Sequence, residues 1–371
     1  MALFGAKSFV GLDIGSHEIK VVELGPAGGR FRVLHMGSAD TPPGAVKEGA
    51  VVEPQALGVA IRQAVGKAGI KPGRVVSAVG GQAVIVRELK LPPMPEDELK
   101  QAARFEAERY IPYGVREVNM DFDIIGETTE ENQRRIVVLL VAARRDVVDK
   151  HVQALEAGGL APYVLDVESF AVIRALAAQA QATAAPQAPG GAAGAASVFV
   201  DLGAETSDIV ITEGDQLRLT RNINIGGDGL TKAIATRLDM EFQSAAQVKE
   251  EKGVVVLEGE PAPDDRTVMA LHEAMLPILG DLATEVRRSM DYFQTRWRES
   301  RVGRVVLSGG TARLTNLDRF LSLELGVETV IGDPFLQCEV GERVLPAAQR
   351  KQVGPAMATA VGLALRGTVE R

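Results

Sequence analysis

Cysteine and histidine, the side chains that most often build disulfides and zinc sites, are scarce in this sequence. Its 371 residues include one cysteine, Cys338, and four histidines. A single cysteine cannot form an internal disulfide, which favours the reducing cytoplasm. So few possible ligands also argue against a structural zinc site, which needs four. We therefore interpret Cys338 as a small core residue rather than a nucleophile.

Excess positive charge and long apolar runs are also missing. The formal net charge is −8, whereas nucleic-acid binders usually present a basic face, so no nucleic-acid partner is expected. The apolar run at 136–143 is too short to span a membrane and predicts a central β-strand. With 46% hydrophobic residues, the chain is long enough for two or three packed units.

The chain does contain an internal repeat. Residues 9–69 predict three strands followed by a helix, and residues 198–238 predict the same order. Between the two copies, residues 81–160 predict a small α+β insert. Residues 177–197 have almost no charge or bulky side chain and predict a flexible loop. A repeat at half-chain spacing predicts two similar lobes.

Each copy opens on the same bend between two apolar strands. The segments are "VGLDIGSHEIKVVEL" (10–24) and "VFVDLGAETSDIVI" (198–211). Glycine at such a bend lets backbone amides approach phosphate oxygens. The aspartates repel phosphate, but a carboxylate can hold Mg²⁺ through ordered water. Two such bends facing each other would clamp a triphosphate together with its metal.

Three further segments extend this pattern: "FQSAAQVKEEKG" (242–253), "VVLSGGTARLTNL" (305–317) and "PAMATAVGLAL" (355–365). With the two bends, they resemble the signature segments of the actin, sugar-kinase and heat-shock-protein-70 superfamily, in the same order. The resemblance implies an α/β actin-like ATPase fold with two duplicated, ribonuclease-H-like lobes. It also implies ATP and Mg²⁺ as ligands.

The resemblance implies site residues position by position. Asp13 and Asp201 would face Mg²⁺ through water, and Glu168 would position an attacking water. We expect His17 and Glu18 to point away from the nucleotide. The implied nucleotide contacts are Asp13, Gly15, Ser16, Lys20, Asp201, Gly203, Thr206, Lys249, Glu250, Gly309, Gly310 and Arg313. Two alternatives stay open: an exposed strand lysine for Lys20, and a carboxylate at a helix N-terminus for Glu168.

The position of the insert separates branches of this superfamily. It follows β-β-β-α-β, which resembles the 1C subdomain of FtsA rather than the insert of MreB. The resemblance implies a first lobe made of its core at 1–80 (1A), the insert at 81–160 (1C) and further core at 161–176. A loop follows at 177–197, then the second lobe with nucleotide-binding elements at 198–350 and a C-terminal helix returning to the first lobe at 351–371.

Further stretches narrow the resemblance within the FtsA-like branch. They are "PPMPEDELKQAARFEAERYIPY", "VLDVESFAVIRAL", "INIGGDGLT" and "RRSMDYFQ", together with the first bend. They resemble the PilM family of type IV pilus assembly proteins. The resemblance implies ATP binding with slow or absent hydrolysis. It also implies capture of the cytoplasmic N-terminal tail of the inner-membrane protein PilN in a groove between 1A and 1C, at roughly 81–113.

The C-terminal end bears on membrane attachment. The sequence stops directly after the last superfamily helix, so we expect no anchor of its own and a cytoplasmic protein held at the inner membrane by its partner. Other pilus platform proteins and self-association stay open as further contacts. Two alternative functions also stay open: an FtsA-like filament-forming protein and a small-molecule kinase.

Overall fold

The first lobe begins with a three-stranded antiparallel meander followed by a helix. In the computed structural model, the described residues are 8–112, 114–130, 132–181, 195–257, 259 and 264–368. The opening elements are β1 (Phe9–Ile14), β2 (Glu18–Ala27), β3 (Arg30–Asp40), β4 (Val46–Lys47), β5 (Ala50–Val51), α1 (Pro54–Ala68) and β6 (Arg74–Val79). Strand β6 runs parallel to β1. The apolar face of α1, including Leu57 and Ile61, covers this sheet.

The insert is a separate three-stranded sheet with one helix. Its elements are β7 (Val84–Leu91), α2 (Glu96–Ala107), β8 (Val118–Glu130) and β9 (Gln133–Arg144). The strand order is β7-β9-β8, so β9 is central, which confirms the prediction for residues 136–143. Leu89, Leu99 and Leu140 are almost fully buried and form a core that the insert does not share with the lobes.

The chain then returns to the first lobe through α3 (Arg145–Ala157), β10 (Ala161–Val167) and α4 (Glu168–Gln181). The predicted insert of 81–160 is therefore too long. Helix α3 buries Ala154 and Leu155 in the same core as α1, because it forms the crossover between the parallel strands β6 and β10.

The predicted loop at 177–197 overlaps regular elements at both of its ends. Helix α4 continues through Gln181, and the next strand begins at Ala196. Residues 182–194 lie outside the described residues. Only the ends of the predicted loop are therefore seen, and both belong to regular elements.

The second lobe repeats the topology of the first. Its elements are β11 (Ala196–Leu202), β12 (Ser207–Glu213), β13 (Gln216–Ile223), α5 (Gly227–Leu238), α6 (Phe242–Lys252), α7 (Arg266–Arg296), β14 (Val302–Ser308), α8 (Leu317–Leu325) and β15 (Thr329–Ile331). The order β13-β12-β11-β14-β15 matches β3-β2-β1-β6-β10 of the first lobe. This match confirms the two duplicated lobes.

Helix α7 differs from the sequence-based expectation. The proline at 277 predicts two helices, at 267–276 and 278–297, but the helix is continuous through Pro277. Leu271 and Met275 before the proline and Leu282 and Val286 after it are buried in one core. This continuous burial offsets the backbone hydrogen bond that proline removes.

The closing elements are β16 (Cys338–Val340), α9 (Ala347–Val353) and α10 (Ala358–Arg366). Strand β16 pairs with β3, so the end of the chain joins the first sheet. Helix α10 packs so closely on β1 that a Cβ at Gly11 would lie 2.2 Å from the Ala360 carbonyl oxygen. Cys338 packs partly buried against a hydrophobic cluster, and burial raises the pKa of its thiol to about 11. Such a thiol is a poor nucleophile.

Candidate functional site

The first bend joins β1 to β2 and carries a buried ion pair. The Gly15 N–H donates to the Glu18 carbonyl oxygen at 3.1 Å, and a Cβ on Gly15 would lie 2.9 Å from the same oxygen. Asp13 faces Lys20 across the strands, with Nζ 3.2 Å from Oδ2. Burial lowers the pKa of Lys20, but the charges of Asp13 and Glu18 outweigh it and the pKa is raised. Lys20 is therefore a charged group beneath the bend, and the alternative of an exposed strand lysine is wrong.

The second bend joins β11 to β12 with the same backbone pattern. The Gly203 N–H donates to the Thr206 carbonyl oxygen at 3.1 Å, and a Cβ on Gly203 would lie 2.6 Å from that oxygen. Asp201 faces Asp208 across the strands. The Ser308 hydroxyl donates to Asp201 at 2.7 Å. The two bends thus share a backbone, but a carboxylate stands in the second where the first has a cation.

The carboxylates near the two bends influence one another. Burial, with help from the charges of Asp208 and Asp13, raises the pKa of Asp201 to about 6, although the Ser308 hydrogen bond and Lys20 act in the opposite direction. Burial also raises the pKa of Glu168 well above its usual range, and the same three aspartates add to that shift. The charges of Asp13, Asp201, Asp208 and Lys20 therefore all act on Glu168. An anion cluster of this kind suits a hydrated divalent cation.

These carboxylates differ from those of a direct metal site, in which side chains bind the ion themselves. Across the part of the chain that the structure describes, no group of three or more histidine, cysteine, aspartate or glutamate side chains is arranged to hold a metal ion. Asp13 and Asp201 would therefore fit Mg²⁺ through its waters rather than as part of a protein cage.

Glu168 is the first residue of α4 and lies against the end of β6. A Cβ on Gly80 would come within 2.0 Å of Glu168 Oε2, so a glycine is needed there for the carboxylate to fit. The side chain lies in the first helical turn and also within the carboxylate group. Both predicted roles, the helix-terminal carboxylate and the water-positioning group, are compatible with this position.

The glycine pair after β14 lies next to the second bend. Gly309 has φ of +87°, and a Cβ there would lie 2.4 Å from the Leu202 carbonyl oxygen. Gly310 has open space, with Arg313 as its nearest neighbour at 3.8 Å. Arg313 is exposed and donates from Nε to the Gly310 carbonyl at 3.0 Å. The pair offers a flat backbone surface, and its role beneath a nucleotide stays a prediction.

The adjacent residues Lys249 and Glu250 of α6 have different surroundings. The Lys249 amine donates to the Gly227 carbonyl at 2.9 Å and to the Thr231 hydroxyl at 2.7 Å, so it ties α6 to the start of α5. Burial lowers the pKa of Lys249. Glu250 is exposed. Contact of either residue with adenine or ribose stays a prediction.

Three contacts between the lobes have no counterpart in the sequence-based prediction. Glu205 Oε2 accepts from the Ser16 hydroxyl at 3.2 Å and from the Glu48 N–H at 2.6 Å. His17 Nε2 lies 3.1 Å from Asp228 in the first turn of α5. A hydrogen bond to Asp228 raises the pKa of His17. His17 therefore joins the first bend to the start of α5 in the second lobe.

Two cavities lie around the insert. One, of about 310 Å³, is bounded by the Gly80–Gln82 junction, by Val84–Arg87 of β7, by Ser169 of α4 and by Thr220–Asn222 of β13. The other, of about 190 Å³, lies between α2 and its sheet, where Leu99, Phe122 and Ile124 form an apolar lining. Tyr110 is 44% exposed, and Tyr113 lies outside the described residues.

Two lobes with one repeated topology, each opening on an aspartate-glycine bend beside a shared cleft, define an actin-like ATPase fold. The family model described as type IV pilus assembly protein PilM matches residues 11–368. The chain therefore belongs to the PilM family of type IV pilus assembly proteins.

Individual relatives agree with this assignment. The chain is similar to a solved PilM-PilN type IV pilus biogenesis complex, with a TM-score of 0.82 and 31% identity, covering 98% of this chain and 99% of that one. The cell division protein FtsA of Enterococcus hirae is 22% identical over 339 residues, which cover 82% of this chain and 74% of FtsA. The cell shape-determining protein MreB of Pasteurella multocida (strain Pm70) is 26% identical over 166 residues, 38% of this chain and 47% of MreB. The chain thus spans about half the length of that relative.

Among the described residues, every helix is too short or too polar to cross a bilayer.

Proposed function

We propose that this protein is an ATP-binding adaptor of the type IV pilus assembly platform. In this role it holds the cytoplasmic N-terminal tail of a PilN-like inner-membrane protein at the junction of the first lobe and the insert. The duplicated bend is the observation that carries the proposal. Both copies pair a tightly closed glycine turn with a partly buried aspartate.

The bends supply the groups that a magnesium nucleotide needs. Backbone amides around Gly15 and Gly203 and the hydroxyls of Ser16 and Thr206 would bind phosphate oxygens. Asp13 and Asp201 would hold Mg²⁺ through its waters, and the ion would offset the negative charge of the phosphates. Lys20 already balances part of the carboxylate charge.

Slow or absent hydrolysis is part of the same proposal. Burial raises the pKa of Glu168, so without a bound cation this candidate water-positioning group is harder to ionise than an ordinary glutamate.

The tail site follows from the free edge of the insert. Strand β7 pairs with β9 on one side, and its other side borders the larger cavity. An extended segment placed there could add main-chain hydrogen bonds to β7, a common way to capture tails. The similar solved protein is named as a complex of PilM with PilN. Binding of such a tail would place this protein on the cytoplasmic face of the inner membrane.

Excision of the insert tests the tail site. Val84 pairs with Ala143, so the chain enters and leaves the insert at neighbouring positions. Replacement of residues 84–143 by a short Gly-Ser linker would therefore leave the two lobes joined. We expect isothermal titration with the synthetic PilN tail of the same organism to show lost binding, while Mg²⁺-ATP binding persists. Leu323→Ser, at a side chain 68% exposed on the second lobe, is the control.

The possible outcomes separate the alternatives. Wild-type affinity of the excised variant for the tail would contradict the proposed groove. Polymers that sediment only with ATP, together with no tail binding by the intact protein, would favour the filament-forming alternative over the adaptor.

A further inference from the structure

Glu205 extends from the second bend and bonds to two groups of the first lobe. Its Oε2 accepts from the Ser16 hydroxyl at 3.2 Å and from the Glu48 N–H at 2.6 Å. Ser16 belongs to the first bend, and Glu48 lies in the turn between β4 and β5. One carboxylate of the second lobe therefore holds two separate segments of the first.

The β4–β5 turn continues this contact toward the insert. Glu48 has φ of +50°, a conformation that side chains other than glycine rarely adopt. Its carbonyl oxygen lies against Gly81, where a Cβ would approach to 2.7 Å. Gly81, with φ of +66°, stands three residues before β7, the first strand of the insert. The turn is thus packed between Glu205 and the base of the insert.

We propose that Glu205 couples nucleotide binding to the base of the insert, because its carboxylate competes with a nucleotide phosphate for Ser16. The inference rests on the proposed function, since it assumes that phosphate binds at the first bend. A serine hydroxyl has one proton to donate, so it serves either the carboxylate or a phosphate oxygen. Repulsion between the two anions adds to the competition.

Displacement of Glu205 has a consequence at the insert. When its carboxylate leaves Ser16, the Glu48 N–H also loses its acceptor, and the turn against Gly81 is freed on that side. The contact from His17 to Asp228 involves neither Ser16 nor Glu48. The buried core in which α4 packs against β11 and β14 also joins the lobes independently of Glu205. Nucleotide thereby loosens the base of the tail groove without opening the whole cleft.

Glu205→Ala tests the competition. Isothermal titration with Mg²⁺-ATP should show binding about threefold tighter or more than for the wild type, because the competitor no longer lowers the fraction of binding-competent molecules. Glu205→Gln keeps an acceptor without the charge and should lie between the two. Asp215→Asn removes one negative charge in the exposed β12–β13 turn and should match the wild type.

Hydrogen exchange at residues 46–51 tests the coupling. ATP should speed amide exchange of this segment in the wild type, whereas Glu205→Ala should exchange fast with or without ATP. Equal ATP affinity for wild type and both Glu205 variants would overturn the inference and leave nucleotide binding standing. Unchanged exchange in the 46–51 segment would overturn it equally. Failure of the wild type to bind ATP would overturn both the inference and the proposed nucleotide site.

Discussion

Lys20 and Asp208 occupy equivalent positions in the two bends. Each faces, across the strands, the aspartate that opens its own bend, so Lys20 stands opposite Asp13 and Asp208 opposite Asp201. The duplicated backbone therefore carries opposite charges at one position. As a result, a single cation balances a cluster of carboxylates that includes Glu168.

Lys20→Met should destabilise the protein strongly at neutral pH. The side chains of Lys20 and Asp13 are each 12% exposed, and loss of one partner leaves the other charge buried without compensation. We expect the free energy of unfolding in urea to fall by about 2–4 kcal/mol at pH 7. The loss should shrink at pH 5, where Asp201, with its pKa of about 6, takes up a proton. Lys100→Met removes an exposed pair with Glu96 and should change little; equal losses for both variants would contradict the account.

Asp201→Asn should stabilise the protein as pH rises. With a pKa of about 6 in the folded state against an ordinary aspartate value of 3.8, wild-type Asp201 keeps its proton to higher pH when folded. Its contribution therefore favours folding at low pH and declines between about pH 4 and 6. Asparagine lacks this penalty. The variant should therefore gain roughly 1–3 kcal/mol over the wild type at pH 7 and little at pH 4. Thermal unfolding across that range measures it, and a gain independent of pH would disagree.

Gly309→Ala and Gly310→Ala form a matched pair. A methyl group at Gly309 would meet the Leu202 carbonyl in a backbone conformation with positive φ, whereas Gly310 has open space. We expect Gly309→Ala to cost about 1–3 kcal/mol of stability and to weaken ATP binding. Gly310→Ala should leave stability nearly unchanged. Similar melting temperatures for the two variants would contradict the explanation that position 309 requires glycine.

Local sequence patterns predicted the parts of the site that repeat. The aspartate-glycine bends and the duplicated order of strands and helix follow from alternation, bend residues and duplication, whereas the glycine pair was implied by the superfamily resemblance. The contacts of Glu205 and His17 could not be predicted, because they join residues 189 and 211 positions apart and leave no local pattern. The continuation of helix α7 through Pro277 could not be predicted from sequence either, since tertiary burial overrides the low helix propensity of one residue.

The boundary of the insert illustrates the same limit. Helix α3 looks like part of a continuous α+β segment in sequence, yet Ala154 and Leu155 belong to the core of the first lobe. Periodicity gives the buried face of a helix but not the sheet that covers it. The choice between two possible cores depends on topology, which the structure supplies.

Titration of Mg²⁺-ATP into the wild type and into a variant with both Asp13→Asn and Asp201→Asn tests the central claim most directly. Isosteric asparagines keep the bends in shape while removing both charges that would hold the ion. We predict that the wild type binds Mg²⁺-ATP and that the double variant binds it roughly tenfold more weakly or worse, a loss of at least about 1.4 kcal/mol. Asp215→Asn should bind as the wild type does. Equal affinity of the wild type and the double variant would contradict the assigned site.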